Sequence, residues 1–216
     1  MQNYKPKRLI LIRHGESMGN IDNNMYSKFP DWTIHLTEKG IKQAELVGKH
    51  IKETIIKNES VIFYHSSFVR AKETYAEIKK SFETNSTIDR EDPRLREQEW
   101  GHYRTVADGN SMKKESIEYG TFYYRFQGGE SCADVYDRIC SFLNDLFRDF
   151  NSPNCPDNVV IITHGTALRV FLMRWFRWTT ERFESIKNPK NCEYFVLERN
   201  LETDKFELLT ELRERN

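Results

Sequence analysis

The sequence lacks any apolar run able to cross a bilayer: its longest, Leu9 to Ile12 and Val159 to Ile162, fall far short of the ~20 residues needed. It also lacks a charge excess. With 33 Lys+Arg against 33 Asp+Glu in 216 residues, no long-range field draws the chain toward nucleic acid or an anionic membrane. Neither is expected as a partner, and any anion must be held by a local cluster. The four cysteines, Cys132, Cys140, Cys155 and Cys192, show no paired-ligand spacing and are too few for a disulfide scaffold. Reduced thiols and a cytoplasmic location are expected. No grouping of His, Asp and Glu has metal-site spacing, so neither a metal nor a cofactor is expected. Lys5, Lys7 and Arg8 precede four aliphatic residues, but Arg13 ends that run before a signal-peptide core forms. A first strand is expected there instead.

What the chain does contain is alternation of strand and helix patterns. Arg8 to Ile12 reads as a strand buried on both faces. Thr37 is a good N-cap for a helix running to about Lys57, with Ala44, Val47, Ile51 and Ile55 on one face. Val61 to Tyr64 reads as a second strand that runs into His65-Ser66-Ser67, followed by a helix marked by Ala71, Tyr75, Ile78 and Phe82. Ser131 and Asp134 resemble a capping pair ahead of a long helix carrying Val135, Ile139, Phe142, Leu146 and Phe150. Val159 to Thr163 is strongly β-forming and leads through His164-Gly165 into another helix. Cys192 to Leu197 and Phe206 to Thr210 read as two closing strands. This order predicts an α/β fold, three-layered α/β/α around a mostly parallel sheet. No repeat or linker divides residues 1–216, which are expected to form one domain. The aromatic-rich stretch of about 100–129 is read as an insertion over one sheet edge.

In open α/β sheets, ligands bind in the crevice at the carboxyl ends of the strands. The residues expected there are Arg13-His14, His65 to Arg70, and His164. Two histidines and two arginines converging in an otherwise neutral chain suit a phosphate dianion, because guanidinium forks bind its oxygens in bidentate fashion.

The motifs carry a resemblance. Arg13-His14-Gly15-Glu16 with Ser17 and Asn20, Ser67 to Thr74 (SFVRAKET), Arg94 to Gly101 (RLREQEWG) and Thr163-His164-Gly165 resemble the histidine phosphatase superfamily, in its phosphoglycerate mutase-like branch. The match runs nearly end to end. Gly129-Glu130-Ser131, Asp134 to Arg138 and Leu168 to Trp178 are most similar to the small phosphatases of this branch in fungi, plants and some bacteria. The resemblance implies a phosphoglycerate mutase-like fold and a metal-independent phosphomonoester hydrolase acting on small molecules through a phosphohistidine on His14. Arg13 and Arg70 would disfavour protonated His14 and steady the phosphoryl oxygens. His164 would complete the pocket, with Asn20 and Ser67 as further hydrogen-bonding candidates. Glu97 matches the family's acid, and Glu99 competes for that assignment from two positions away.

The ordinary reading of a histidine is a hydrogen-bonded packing residue, and His35, His50, His65 and His102 are read that way. Tyr103, Arg104, Tyr123 and Arg125 are expected to line the entrance and favour a bulky or aromatic leaving group. The alternative activity is a cofactor-dependent phosphoglycerate mutase or another phosphoryl transferase. Such mutases carry paired arginines in the insertion, whereas Arg104 and Arg125 here stand far apart, so a fairly broad-range phosphatase is favoured. A non-catalytic phosphoryl-binding module is disfavoured, since mere binding needs neither a nucleophile nor an acid. Nothing in the sequence selects an oligomeric state.

Overall fold

The computed structural model describes residues 5–101 and 105–215. Its strands are β1 (Arg8–Arg13), β2 (Val61–His65), β3 (Thr87–Glu91), β4 (Asn158–Thr163), β5 (Tyr194–Arg199) and β6 (Phe206–Leu208). Its helices are α1 (Met18–Ile21), α2 (Met25–Lys28), α3 (Glu38–Ile51), α4 (Val69–Lys80), α5 (Val106–Tyr119), α6 (Cys132–Phe150), α7 (Gly165–Phe176) and α8 (Thr180–Ser185). One sheet runs β3-β2-β4-β1-β5-β6. The first four strands in that order are parallel, and β5 and β6 complete it antiparallel.

The period of two along β1 sorts its side chains between two cores. Leu9 and Leu11 join the cluster built with α6 and α7, and Ile10 and Ile12 join the one built with α3 and α4. Helices therefore cover both faces, as predicted, and β1, β2 and β4 read as unbroken apolar runs because neither face meets water. The Ser131–Asp134 pair is a reciprocal cap on α6, whose Val135, Ile139, Phe142, Leu146 and Phe150 are all buried.

Several boundaries differ from expectation. The helix from Thr37 ends at Ile51 and continues as a wider π turn, Lys52–Ile56, closed by Lys57 at φ 54°. The first closing strand starts at Tyr194 rather than Cys192, because Cys192 sits at φ 55° and cannot join a ladder. β3 was not predicted: four of its five residues are exposed and it pairs only with β2, so it has no apolar signature. The 100–129 segment contains a helix, α5, started by a Thr105–Asp108 capping box. Residues of this segment stand over the carboxyl ends of the central strands rather than over a sheet edge, since Gly109, Met112, Lys113 and Phe126 share a cavity with Arg13 and His14.

One close approach sets the position of the β1–α1 turn. A Cβ on Gly40 would lie 2.1 Å from the Glu16 carbonyl oxygen, and one on Gly15 would lie 2.5 Å from the Gly40 carbonyl oxygen. The start of α3 thus presses backbone to backbone on the loop after His14. Gly40→Ala is expected to lower stability by about 1–3 kcal/mol in urea unfolding. An unchanged midpoint would show that the loop can retreat at no cost.

Candidate active site

β1 and β4 lie side by side in register, Arg13 opposite Thr163, so His14 and His164 leave the sheet at the same level. Their rings lie 5.0 Å apart, centroid to centroid. Arg70, in the first turn of α4, reaches in from beyond β2. Its Nε donates to His14 Nε2 at 3.3 Å. On its other side the His14 ring meets its own loop, with Nδ1 donating to the Gly15 carbonyl at 2.7 Å. That bond places the proton on Nδ1 and the lone pair on Nε2, the atom facing Arg70.

Burial first, and then the charges of Arg70 and Arg13, hold the His14 pKa well below its ordinary 6.5; the Gly15 bond opposes them only partly. His164, fully buried, is depressed too, by burial, then Arg70 and His14. Both imidazoles are therefore neutral in the folded chain where a free histidine would be charging. The sign of the linkage follows: this pair favours folding above pH 6.5, and that contribution is lost as pH falls through the depressed values. NMR of His14 is expected to show a ring that stays neutral as pH is lowered through the ordinary value of 6.5. A midpoint near the ordinary value would contradict the electrostatic arrangement.

A cavity of about 240 Å³ opens over these groups, lined among others by Arg13, His14, Asn20, Arg70 and Glu97. Five of the residues singled out from the sequence thus meet in one place. Glu97 accepts from the Thr166 and Ala167 N–H groups at 3.2 Å, at the start of α7, and from Gln98 N–H at 3.0 Å. These N–H groups of the first turn of α7 have no partner within the helix, and they fix the position of the Glu97 side chain. Its turn is pinned by Arg138 of α6, which donates to the Arg94 and Glu97 carbonyls at 2.6 and 3.0 Å and pairs with Glu130. Glu99 is exposed and does not line this cavity, so of these two carboxylates Glu97 is the one that shares the cavity with His14.

Other expectations need correction. Ser67 does not line the cavity; its neighbour Ser66 contacts His164 Nε2 at 2.8 Å. His164 is fully buried and is not part of the cavity lining, and its Nδ1 has no hydrogen-bond partner. Tyr123 is exposed and packs on Phe122, while Arg125 is tied to Asp134 at 2.6 Å; neither lines the cavity. The aromatic side chains that do are Tyr26, Trp100 and Phe126. Tyr103, Arg104 and His102 lie outside the described residues. His35 and His50 are exposed, His35 beside Glu73, whereas His65 is buried and stacked on Tyr75 as a packing residue.

The structure adds residues that no motif indicated. Asp31 grips the Arg70 guanidinium, Oδ1 accepting from Nη1 at 2.7 Å and Oδ2 from Nη2 at 3.2 Å. Asn191 donates to the His14 and Gly15 carbonyls and to Asn20 Oδ1, at 3.3, 3.2 and 2.9 Å. The Pro189 carbonyl accepts from Arg13 Nη1 at 2.6 Å.

A family model described as the histidine phosphatase superfamily (branch 1) matches residues 9–211. The chain belongs to the histidine phosphatase superfamily. It is 43% identical over 205 residues to phosphoglycerate mutase-like protein AT74 of Arabidopsis thaliana, covering 89% of this chain and 65% of that protein. The chain thus spans just under two thirds of that relative's length. It is 29% identical to the broad-range acid phosphatase DET1 of Saccharomyces cerevisiae, covering 97% of this chain and 90% of that one. The solved structure of mycobacterial glucosyl-3-phosphoglycerate phosphatase superposes with a TM-score of 0.70 at 20% identity, over 95% of this chain and 97% of that one, and shares the fold. The family and fold implied by the motifs of this histidine phosphatase both hold.

Proposed function

We propose that residues 1–216 act as one phosphomonoesterase domain, in which His14 Nε2 takes the phosphoryl group and water receives it. One observation carries this reading: the unprotonated Nε2 of a buried, neutral imidazole is held beside Arg70, with Glu97 lining the same cavity. The Nε2 lone pair forms an N–P bond as the ester P–O bond breaks, and Glu97 in its acid form gives its proton to the departing oxygen. Water then attacks phosphorus, Glu97 takes a proton from it, and the N–P electrons return to His14. Arg13 and Arg70 neutralise charge on the phosphoryl oxygens throughout. His164 Nε2 pairs with the Ser66 hydroxyl and its Nδ1 has no partner; with the hydroxyl as the donor of that pair, Nδ1 carries the proton that His164 would offer to one of those oxygens. Asn20, on the cavity wall, is a further donor.

Water as acceptor, and a fairly broad range of small phosphomonoesters, fit the lining. Beyond Arg13 and Arg70, Lys113 is the one cation among its described residues, and those described residues form no further arginine pair for a second phosphate. The segment 100–129 acts as a cover over the cavity. The four thiols, none in a disulfide, support a reducing compartment such as the cytoplasm, and no helix of the described residues is long and apolar enough to cross a membrane.

The discriminating assay follows 3-phosphoglycerate in the presence of 2,3-bisphosphoglycerate, beside a panel of phosphomonoesters. Release of inorganic phosphate is expected to exceed isomerisation. Isomerisation outpacing hydrolysis would make the protein a mutase.

A further inference from the structure

Beside the main cavity lies a smaller one of about 120 Å³, walled by Tyr26, Phe29, Pro30, Trp32 and Trp100. We propose that this annex is the leaving-group subsite and seats one planar aromatic ring of the phosphomonoester. The inference rests on the hydrolytic reading above and names the substrate class for it.

Three features support it. The annex and the phosphate cavity share Tyr26, Asp31 and Trp100, so an ester held at Arg70 can pass directly into the annex. Phe29 and Trp32 are 51% and 58% exposed, a large apolar area that core packing does not use. The wall is also anchored. Asp31, next in sequence to Trp32, is clamped to Arg70, which is 2% exposed, and the Pro30 carbonyl accepts from Thr33 N–H and Oγ1 at 3.0 and 2.8 Å. Trp100 is held edge-on against Phe126, centroids 4.9 Å apart. The arginine for the phosphate and the aromatic wall are therefore one mechanical unit, which fixes the distance between phosphorus and ring.

Size and charge define the occupant. An apolar cavity of about 150 Å³ holds a benzene molecule, so an annex of this volume, open on one side, takes one ring and not a fused system. The described residues of its lining include no Lys or Arg, so an acidic leaving group would find no counter-charge there. The occupant is a neutral aromatic alcohol.

The test compares benzyl phosphate with ethyl phosphate, both of which release a primary alcohol, in the wild type, Phe29→Ala, Trp32→Ala and Trp32→Phe. In Trp32→Ala the benzyl-to-ethyl ratio of kcat/KM is expected to fall about tenfold, with ethyl phosphate changed less than about twofold. Phe29→Ala should shift the ratio in the same direction, and Trp32→Phe should restore most of it. An unchanged ratio, or equal losses on both esters, would overturn the subsite while leaving the phosphatase reading intact. If the wild type hydrolyses neither ester, the phosphatase reading fails. The subsite is then judged by calorimetric affinity for the same two esters, and equal ratios in wild type and Trp32→Ala would overturn it.

Discussion

His14→Ala is expected to lower kcat/KM for phosphomonoester hydrolysis by four or more orders of magnitude, about the loss seen when a covalent nucleophile is removed. Among the described residues no other histidine lines the cavity. His164 is fully buried outside the lining, with its Nε2 engaged by Ser66. Stability should change little, by about 1 kcal/mol or less in urea unfolding, because the ring already borders an open cavity and contributes no charge pair. Activity within tenfold of wild type, in a variant shown to be folded, would place the nucleophile elsewhere.

Glu97→Gln is expected to slow single-turnover phosphorylation of His14 by about 10²–10⁴-fold with ethyl phosphate. With 4-nitrophenyl phosphate the loss should be much smaller, because that leaving group departs as an anion without a proton. The amide keeps an oxygen to accept from the Thr166 and Ala167 N–H groups, so the start of α7 should stay in place. This dependence on the leaving group separates proton donation from a structural role. Equal losses with both esters would show that Glu97 shapes the site without acting as the acid.

The extent to which this site can be read from sequence follows from which forces act locally. β1, β2 and β4 show as apolar runs because both their faces are buried, and the residues just past strand ends mark the crevice, which points to His14, to the stretch His65 to Arg70 and to His164. Asp31 and Arg70 are 39 positions apart, and Asn191 and His14 are 177 apart. Their partnerships arise from tertiary packing and leave no local pattern. The single-position error at Ser66 and Ser67 has the same origin, since only the turn after β2 decides which hydroxyl faces His164. In the 100–129 segment, aromatic richness says nothing about direction. Tyr123 turns out to solvent while Phe126 turns into the cavity, and α5 was hidden by a polar, weakly amphipathic sequence that includes Gly109.

The central claim is a covalent bond between His14 Nε2 and phosphorus during turnover. It is tested by brief incubation with a radiolabelled phosphomonoester, a quench in alkali and peptide mapping. The expected result is label stable to alkali and labile to acid, on the peptide containing His14, and missing in His14→Ala. Steady release of phosphate with no label trapped in Glu97→Gln, or label carried by any other residue, would contradict it.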